Sequence, residues 1–261
     1  MRRLMSVLVV TTALAACGAT TEEPAPATQP ERLRVEVLEV LPHDTSAFTQ
    51  GLEFVGDTLY EGTGLVGRSS LRAGPAGQEP TASVALPEPL FGEGITVVDS
   101  TIWQLTWQNG IAIERDRDTL AERRRVGYSG EGWGLCHQPE RDRLVMSDGT
   151  ARLTFRDPRT FAATGSVTVT DGGTSVDQLN ELECVGEDVY ANIWQTDEIV
   201  RINSASGAVT ARIDASGLLE PGEERGADVL NGIAVYPGTD QFLITGKLWP
   251  KMFRVNLVPA A

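Results

Sequence analysis

Glu93 is the residue of this sequence best suited to move protons, because aromatic side chains are expected to surround it. Trp133 leads a segment that resembles the one containing Glu93, and Trp107 and Trp194 end the second apolar run of their units. A carboxylate among indole rings loses hydration, which raises its pKa and suits it to proton exchange near neutral pH. The alternative is a carboxylate that hydrogen-bonds loop amides for a structural reason, and spacing alone does not separate the two.

Glu93 opens one of five similar segments, each led by a polar or indole side chain that Gly or Glu follows. The leading residues are Gln50, Glu93, Trp133, Asn180 and Asn231. They lie 43, 40, 47 and 51 positions apart, and a period of this size with several short strands per unit is typical of a β-propeller. We therefore expect the five leading side chains to converge near one axis.

Strand patterns within the units predict an all-β fold. In the second unit, turn-forming clusters separate apolar or alternating runs at 93–98, 101–107, 111–115 and 123–128. The fifth unit has only three such runs, whereas 33–40 alternates apolar and polar residues before the first unit. We predict a five-bladed β-propeller closed by this N-terminal strand, since closure leaves no exposed sheet edge.

A second set of positions ends the second run of four units. These residues are Trp107, Asp148, Trp194 and Lys247. Their distance from the leading residue fits two antiparallel strands joined by a tight turn, which brings both positions to one face. For the tryptophans the alternative is core packing, for Lys247 a solvated charge, and for the leading amides the capping of loop backbones.

The N-terminus predicts export. The chain begins with two arginines, continues with an apolar run at 4–16 and reaches Cys17 after small residues. This is the pattern of a signal peptide, with a basic region, an apolar region and a cleavage site. The apolar run is too short to span a membrane. The ending LAAC resembles a bacterial lipobox, so we predict a lipoprotein signal peptide at 1–16 and lipidation of Cys17. Residues 17–31 then form a flexible, Pro-rich tether and 32–261 the β-propeller catalytic domain. An ordinary secretory signal is the alternative.

These features place the protein in the cell envelope. Gly18 replaces the aspartate that retains lipoproteins in the inner membrane, which favours the outer membrane facing the periplasm. The net charge of −14 opposes binding to nucleic acid, and membrane contact is expected only through the lipid at Cys17. Only two histidines, His43 and His137, are present, so a Ser-His-Asp triad or a His-rich metal site has little to be built from.

Two further features leave alternatives open. Cys136 and Cys184 are the remaining cysteines; export permits a disulfide, but two buried thiols fit the pattern slightly better. No cofactor is required for the chemistry expected of Glu93, although a structural divalent metal has candidate ligands in Glu93, Glu131, Asp148 and Asn231.

Nine segments, in order from about residue 33 to 257, resemble those of the plant-type glutaminyl-peptide cyclotransferases and their bacterial relatives. They are 48–52 (FTQGL), 91–94 (FGEG), 105–107 (LTW), 132–135 (GWGL), 146–149 (MSDG), 179–183 (LNELE), 191–194 (ANIW), 230–234 (LNGIA) and 244–247 (ITGK). The resemblance implies a five-bladed propeller that acts without zinc. It implies a transferase of the aminoacyltransferase class that converts the N-terminal glutamine of peptides or proteins into pyroglutamate and releases ammonia.

The resemblance also assigns residues. It implies that Glu93 transfers protons in a pocket lined by residues at eight further matching positions. We expect catalytic roles for Glu93, Asn180, Lys247 and Gln50. We expect substrate binding by Phe48, Phe91, Trp107, Trp133 and Trp194.

The chemistry needs no enzymic nucleophile, because the substrate amine attacks its own side-chain amide and positioning supplies much of the acceleration. Two other functions stay open at this stage. One is a non-catalytic envelope propeller lipoprotein that acts as a binding scaffold. The other is a propeller hydrolase or lyase with an axial metal.

Overall fold

The computed structural model describes residues 29–260, and this part of the chain is all-β, as predicted. Its single helical segment is a 3-10 turn at Pro139–Arg141. Within the described range, no helix has the length and apolar character needed to cross a membrane. The predicted signal peptide, Cys17 and the tether as far as residue 28 lie outside the described residues.

Three sheets each contain four antiparallel strands in chain order. The first sheet comprises β2 (Thr49–Val55), β3 (Thr58–Thr63), β4 (Ser70–Gly74) and β5 (Ala82–Ala85). The second comprises β6 (Gly92–Val98), β7 (Thr101–Thr106), β8 (Ile111–Asp116) and β9 (Glu122–Gly127). The third comprises β10 (Leu135–Gln138), β11 (Arg143–Met146), β12 (Arg152–Arg156) and β13 (Ala163–Thr168). Each begins close to the run that the sequence predicts.

The remaining units are joined by the N-terminal strand. The fourth unit comprises β16 (Leu179–Val185), β17 (Asp188–Ile193), β18 (Glu198–Asn203) and β19 (Val209–Asp214). The fifth comprises β20 (Leu230–Val235), β21 (Phe242–Gly246) and β22 (Lys251–Pro259). Strand β1 (Glu31–Pro42) pairs antiparallel with β22, which the sequence predicts, and parallel with β19, which it does not. A hairpin of β14 (Thr170–Asp171) and β15 (Thr174–Ser175) was also unpredicted.

The first strands of the five units contact one another in a closed cycle: β2 with β6, β6 with β10, β10 with β16, β16 with β20 and β20 with β2. Glycines after the leading residues permit this close approach. A Cβ atom on Gly94 would lie 2.6 Å from the Trp133 carbonyl oxygen, and one on Gly134 would lie 2.1 Å from that of Asn180. A side chain at either position would separate neighbouring units.

Glu181 stands where the other units have this glycine. Its carboxyl accepts the backbone N–H of Leu52 (3.2 Å) and that of Ile233 (2.9 Å), which belong to β2 and β20. Burial raises the pKa of Glu181 to about 8. One carboxyl therefore pairs with backbone N–H groups on the first strands of two other units.

Two further carboxyls are arranged in the same way. Glu53 accepts the backbone N–H of Val97 (2.9 Å), and Glu183 accepts that of Val235 (2.8 Å). Burial raises the pKa of Glu53 to about 7, and burial together with the charge of Glu53 raises the pKa of Glu183. Buried carboxyls that accept backbone N–H groups thus connect the first strands of different units.

The apolar core lies between neighbouring sheets, and a disulfide crosses it between Cys136 of β10 and Cys184 of β16. The Cα atoms are 5.4 Å apart, a separation typical of disulfides. The hypothesis that Cys136 and Cys184 are two separate buried thiols is therefore wrong. The cysteines are 48 residues apart, about one repeat, so they occupy similar heights on adjacent inner strands.

Candidate active site

Four of the five leading residues lie in β-bulges at the start of the first strands of their units, and Trp133 precedes β10. The pairing register shifts between Thr49 and Gly51, Gly92 and Ile95, Leu179 and Leu182, and Leu230 and Ile233. A bulge leaves a residue outside the regular ladder and turns its side chain away from the pleat. The residues turned in this way are Gln50, Glu93, Asn180 and Asn231.

A chain of hydrogen bonds joins three of these side chains. Gln50 donates from Nε2 to Oε1 of Glu93 over 2.9 Å, and its own Oε1 accepts from Nδ2 of Asn231 over 3.2 Å. Asn231 Nδ2 also donates to the backbone oxygen of Thr49 over 2.9 Å. All three side chains are buried, so the Gln50 amide has one orientation and presents its N–H group to the carboxyl.

Glu93 is 4% exposed, and burial raises the pKa of its carboxyl well above the usual range. The charge of Lys247 opposes this rise and that of Glu131 adds to it. Burial also lowers the pKa of Lys247, against the charge of Glu93. Among residues 29–260, no nitrogen–oxygen contact within 4 Å joins the Lys247 amine to the Glu93 carboxyl, so the two do not form a direct ion pair.

One aromatic wall comes from the first and second units. The rings of Phe48 and Phe91 meet edge to face with centroids 6.1 Å apart, and Phe91 meets Trp107 at 5.6 Å. Lys247 Nζ lies 4.9 Å from the centroid of the Phe48 ring, a cation–π distance. Lys247 is buried, so the solvated-charge alternative is wrong.

A second wall comes from the third and fourth units, where Trp133 and Trp194 meet edge to face at 5.5 Å. Both are partly exposed, and Trp107 is 37% exposed. The tryptophans that pack in the core are Trp103 and Trp249. The core-packing alternative is therefore wrong for the three predicted pocket tryptophans, which keep surface open to a ligand.

Glu131 ties the two walls together, a role that sequence reasoning missed. Its Oε2 accepts the indole N–H of Trp107 (2.7 Å) and that of Trp133 (3.0 Å), and its Oε1 accepts Nε2 of Gln108 (2.9 Å). These hydrogen bonds hold the pKa of Glu131 below its usual value although burial opposes them. The only signal was its place two residues before Trp133.

Two further predicted positions, Asn180 and Asp148, do not join the hydrogen-bond chain of Gln50, Glu93 and Asn231. Asn180 is buried, and its backbone oxygen accepts the Ser147 hydroxyl over 2.6 Å. Asp148 instead binds its own turn through the Thr150 backbone N–H at 3.1 Å. Residues 29–260 contain no group of three or more His, Cys, Asp or Glu side chains arranged to hold a metal ion.

Comparison with known proteins gives consistent matches. Residues 8–257 match the family model described as glutamine cyclotransferase. The glutaminyl-peptide cyclotransferase of Arabidopsis thaliana is 38% identical over 237 residues, which cover 87% of this chain and 72% of the plant protein. The crystal structure of Myxococcus xanthus glutaminyl cyclase matches with a TM-score of 0.80 and 38% identity, covering 89% of this chain and 100% of that one.

Proposed function

This chain belongs to the glutamine cyclotransferase family, and on that basis we propose that it is an enzyme, a glutaminyl-peptide cyclotransferase. It converts the N-terminal glutamine of peptides or proteins into pyroglutamate and releases ammonia. The observation that carries this proposal is the buried Glu93 carboxyl, oriented by Gln50 and set between aromatic walls. A binding scaffold has no need of that combination.

The reaction is an intramolecular acyl transfer. The neutral α-amine of the substrate attacks the carbonyl carbon of its own side-chain amide, so a C–N bond closes the five-membered ring. The bond to the amide nitrogen then breaks, and this nitrogen leaves as ammonia. The amine loses one proton and the leaving nitrogen gains one, so a single group that accepts and returns a proton balances the reaction.

Glu93 is our candidate for that group. Its raised pKa makes the carboxylate a stronger base toward the attacking amine, and it keeps the resulting acid protonated until the leaving nitrogen takes the proton. Gln50 holds one carboxyl oxygen, which leaves the other free to exchange the proton. The same residue thereby serves both halves of the reaction.

Charge develops on the amide oxygen during attack, and buried donors stabilise it best. We assign this role to Lys247 and Asn180, both of which are buried beside the pocket. Phe48, Phe91, Trp107, Trp133 and Trp194 would hold the glutamine side chain and exclude water. Positioning of the amine against the amide contributes a large share of the rate.

We infer that the five units form the blades of a β-propeller. The closed cycle of first strands and the pairing of β1 with β22 support this arrangement. The pocket would then lie at the end of the axis where the bulged leading residues meet. This gives a reason why one residue from each of several units reaches the same site.

We further propose an exported, lipid-anchored enzyme of the cell envelope. Support comes from the lipobox-like residues 14–17 and the Pro-rich stretch after them. Such an enzyme would meet peptides in the periplasm, where newly exported proteins also present their N-termini. Metabolic labelling with a fatty acid, with Cys17→Ser as the control, tests the anchor.

The function is tested by incubating the purified protein with a Gln-initiated peptide. Ammonia release and a mass loss of the peptide corresponding to ammonia are expected. The same peptide with an acetylated amine should release none, because the nucleophile is blocked. Absence of ammonia from the free-amine peptide across the pH range in which the protein stays folded would refute the proposal.

A further inference from the structure

A groove leads away from the candidate active site between the second and third sheets. Its volume is about 630 Å³. Glu131 and Asp148 line one end, whereas Thr154 and Arg156 of β12 and Ala163 of β13 line the part farther out. Because Glu131 also holds Trp107 and Trp133, the groove begins where the aromatic pocket ends.

Arg156 is an unusual residue for such a lining. It is 7% exposed, and among residues 29–260 no carboxylate oxygen lies within 4 Å of its guanidinium. Its hydrogen-bond acceptors are the backbone oxygen of Phe161 (3.1 Å) and the sulfur of Met146 (3.0 Å). Its guanidinium carbon also lies 4.7 Å from the ring centroid of Phe161 and 5.2 Å from that of Tyr128, so aromatic faces and not carboxylates surround the charge. A buried cation without an anion is unfavourable, so the guanidinium of Arg156 can still accept an acidic ligand as its counter-ion.

The second sheet has an arginine at the equivalent position, Arg115, whose hydrogen bonds can be compared with those of Arg156. Arg115 pairs with Ile102 as Arg156 pairs with Leu144, which makes the two arginines equivalent. Each donates to the backbone oxygen of the residue five positions later. Arg115 also donates from Nε to the amide oxygen of Gln104 over 3.0 Å.

Two residues after Ile102 stands Gln104, and two residues after Leu144 stands Met146. A thioether is a weak acceptor compared with an amide oxygen. The third sheet has therefore lost the acceptor that the second retains, and it has done so on the strand that faces the groove. Arg152, 59% exposed and 3.9 Å from Asp148, adds a second cation to the groove and belongs to β12, the strand that also carries Arg156.

We propose that this groove binds the part of the substrate peptide that follows the glutamine, and that Arg156 binds a carboxylate there. This proposal rests on the proposed cyclotransferase function. The groove offers charges of both signs to such a peptide: Glu131 and Asp148 stand near the pocket, Arg152 lies beside Asp148, and Arg156 adds a guanidinium without a carboxylate farther along β12. The four residue steps from Arg152 to Arg156 correspond to about 13 Å of strand. An acidic residue several positions after the glutamine, or the terminal carboxylate of a short peptide, reaches Arg156.

The test measures binding of pyroglutamyl product peptides, which do not turn over, by calorimetry. Peptides that carry one Glu, scanned over positions two to seven, are compared with the same peptides carrying Gln. We expect about tenfold tighter binding of the Glu peptide at one position, because a charge-assisted hydrogen bond is stronger than one between neutral groups. Arg156→Gln and Met146→Gln should both remove most of this preference, the second by supplying the amide acceptor of the second sheet.

Arg115→Gln is the matched control, since it removes the equivalent arginine outside the groove and should leave the preference intact. Circular dichroism verifies folding, and Met146→Gln tests the subsite even where Arg156→Gln does not fold. Equal binding of Glu and Gln peptides at every position, or equal loss in the Arg115 control, would overturn the subsite. Failure to release ammonia from any Gln peptide would instead overturn the catalytic function while the binding comparison still reports on the groove.

Discussion

The side-chain amide of Gln50 donates a 2.9 Å hydrogen bond to the Glu93 carboxyl. The donor comes from the first unit and the acceptor from the second, and both occupy bulges at the start of inner strands. A donor aimed at a carboxyl favours its charged form, whereas burial favours the neutral form. The ionisation of Glu93 is thus set by two opposing effects from different units.

Gln50→Leu should therefore raise the pKa of Glu93 further, because the donor disappears and burial remains. We expect the limb of the kcat/KM profile that reports Glu93 ionisation to move to higher pH, with kcat lowered about 10–100-fold. Ammonia release measured against pH, on one substrate for both proteins, gives the shift. An unmoved limb would show that Gln50 does not govern Glu93.

Glu93→Gln keeps the shape of the side chain but removes proton exchange. We expect kcat to fall about 10²–10⁴-fold, with little change in far-UV circular dichroism. Glu140→Gln, in the exposed 3-10 turn, is the control and should behave as wild type. Near-normal turnover by the Glu93 variant would remove this residue from the mechanism.

Glu131→Gln should weaken the aromatic pocket, because a glutamine side chain has one acceptor oxygen for the three donors that Glu131 now binds. We expect KM to rise several-fold and tryptophan fluorescence to change. Loss of the Glu131 charge also lowers the pKa of Glu93, so the Glu93 limb should move to lower pH, opposite to Gln50→Leu. A shift in the same direction for both variants would contradict this account.

The Cys136–Cys184 disulfide should stabilise the fold. It closes a loop of 48 residues, and the chain-entropy model gives about 4 kcal/mol for a loop of this length. We expect the Cys136→Ser, Cys184→Ser double variant to unfold at lower denaturant concentration than the oxidised protein. Thiol titration in denaturant without reductant should detect neither cysteine; release of both there would contradict the bridge.

Glu181 should make the stability depend on pH. Its carboxyl titrates near pH 8 in the folded state and near 4.3 in an unfolded chain, so the folded state binds the proton more tightly. The free energy of unfolding should fall as pH rises through that window. Glu181→Gln should flatten the slope between pH 5 and 8 by up to about 1.4 kcal/mol per pH unit. Denaturant unfolding at several pH values measures it, and an unchanged slope would contradict the prediction.

Much of the strand order follows from local patterns. Alternation and turn residues predict the strands of each unit because those signals lie within a few positions. The parallel pairing of β1 with β19 had no such signal, since it depends on where the ends of two distant units lie. The Cys136–Cys184 bridge was misjudged for a related reason, because the closeness of equivalent positions in adjacent units is a property of the assembled fold.

For the candidate site too, the sequence predicts some features and leaves others undetermined. The recurrence of the leading segments identifies Gln50, Glu93, Trp133, Asn180 and Asn231, and strand length identifies Lys247. Neither signal identifies which hydrogen-bond acceptor each donor of the site contacts. Glu131 was a candidate only as a metal ligand, because it lies in a loop outside the repeat. Arg156 was not a candidate, because it resembles any strand-end arginine.

The sequence by itself therefore determined the period, the strand pattern and most residue types around the pocket, because these depend on positions close along the chain. Only the tertiary structure decided that Gln50 meets Glu93, that Glu131 joins two indoles, and that Arg156 is buried without a carboxylate. Hydrogen-bond partners and desolvation arise from units far apart in sequence, and they set the ionisation on which the proposed chemistry depends.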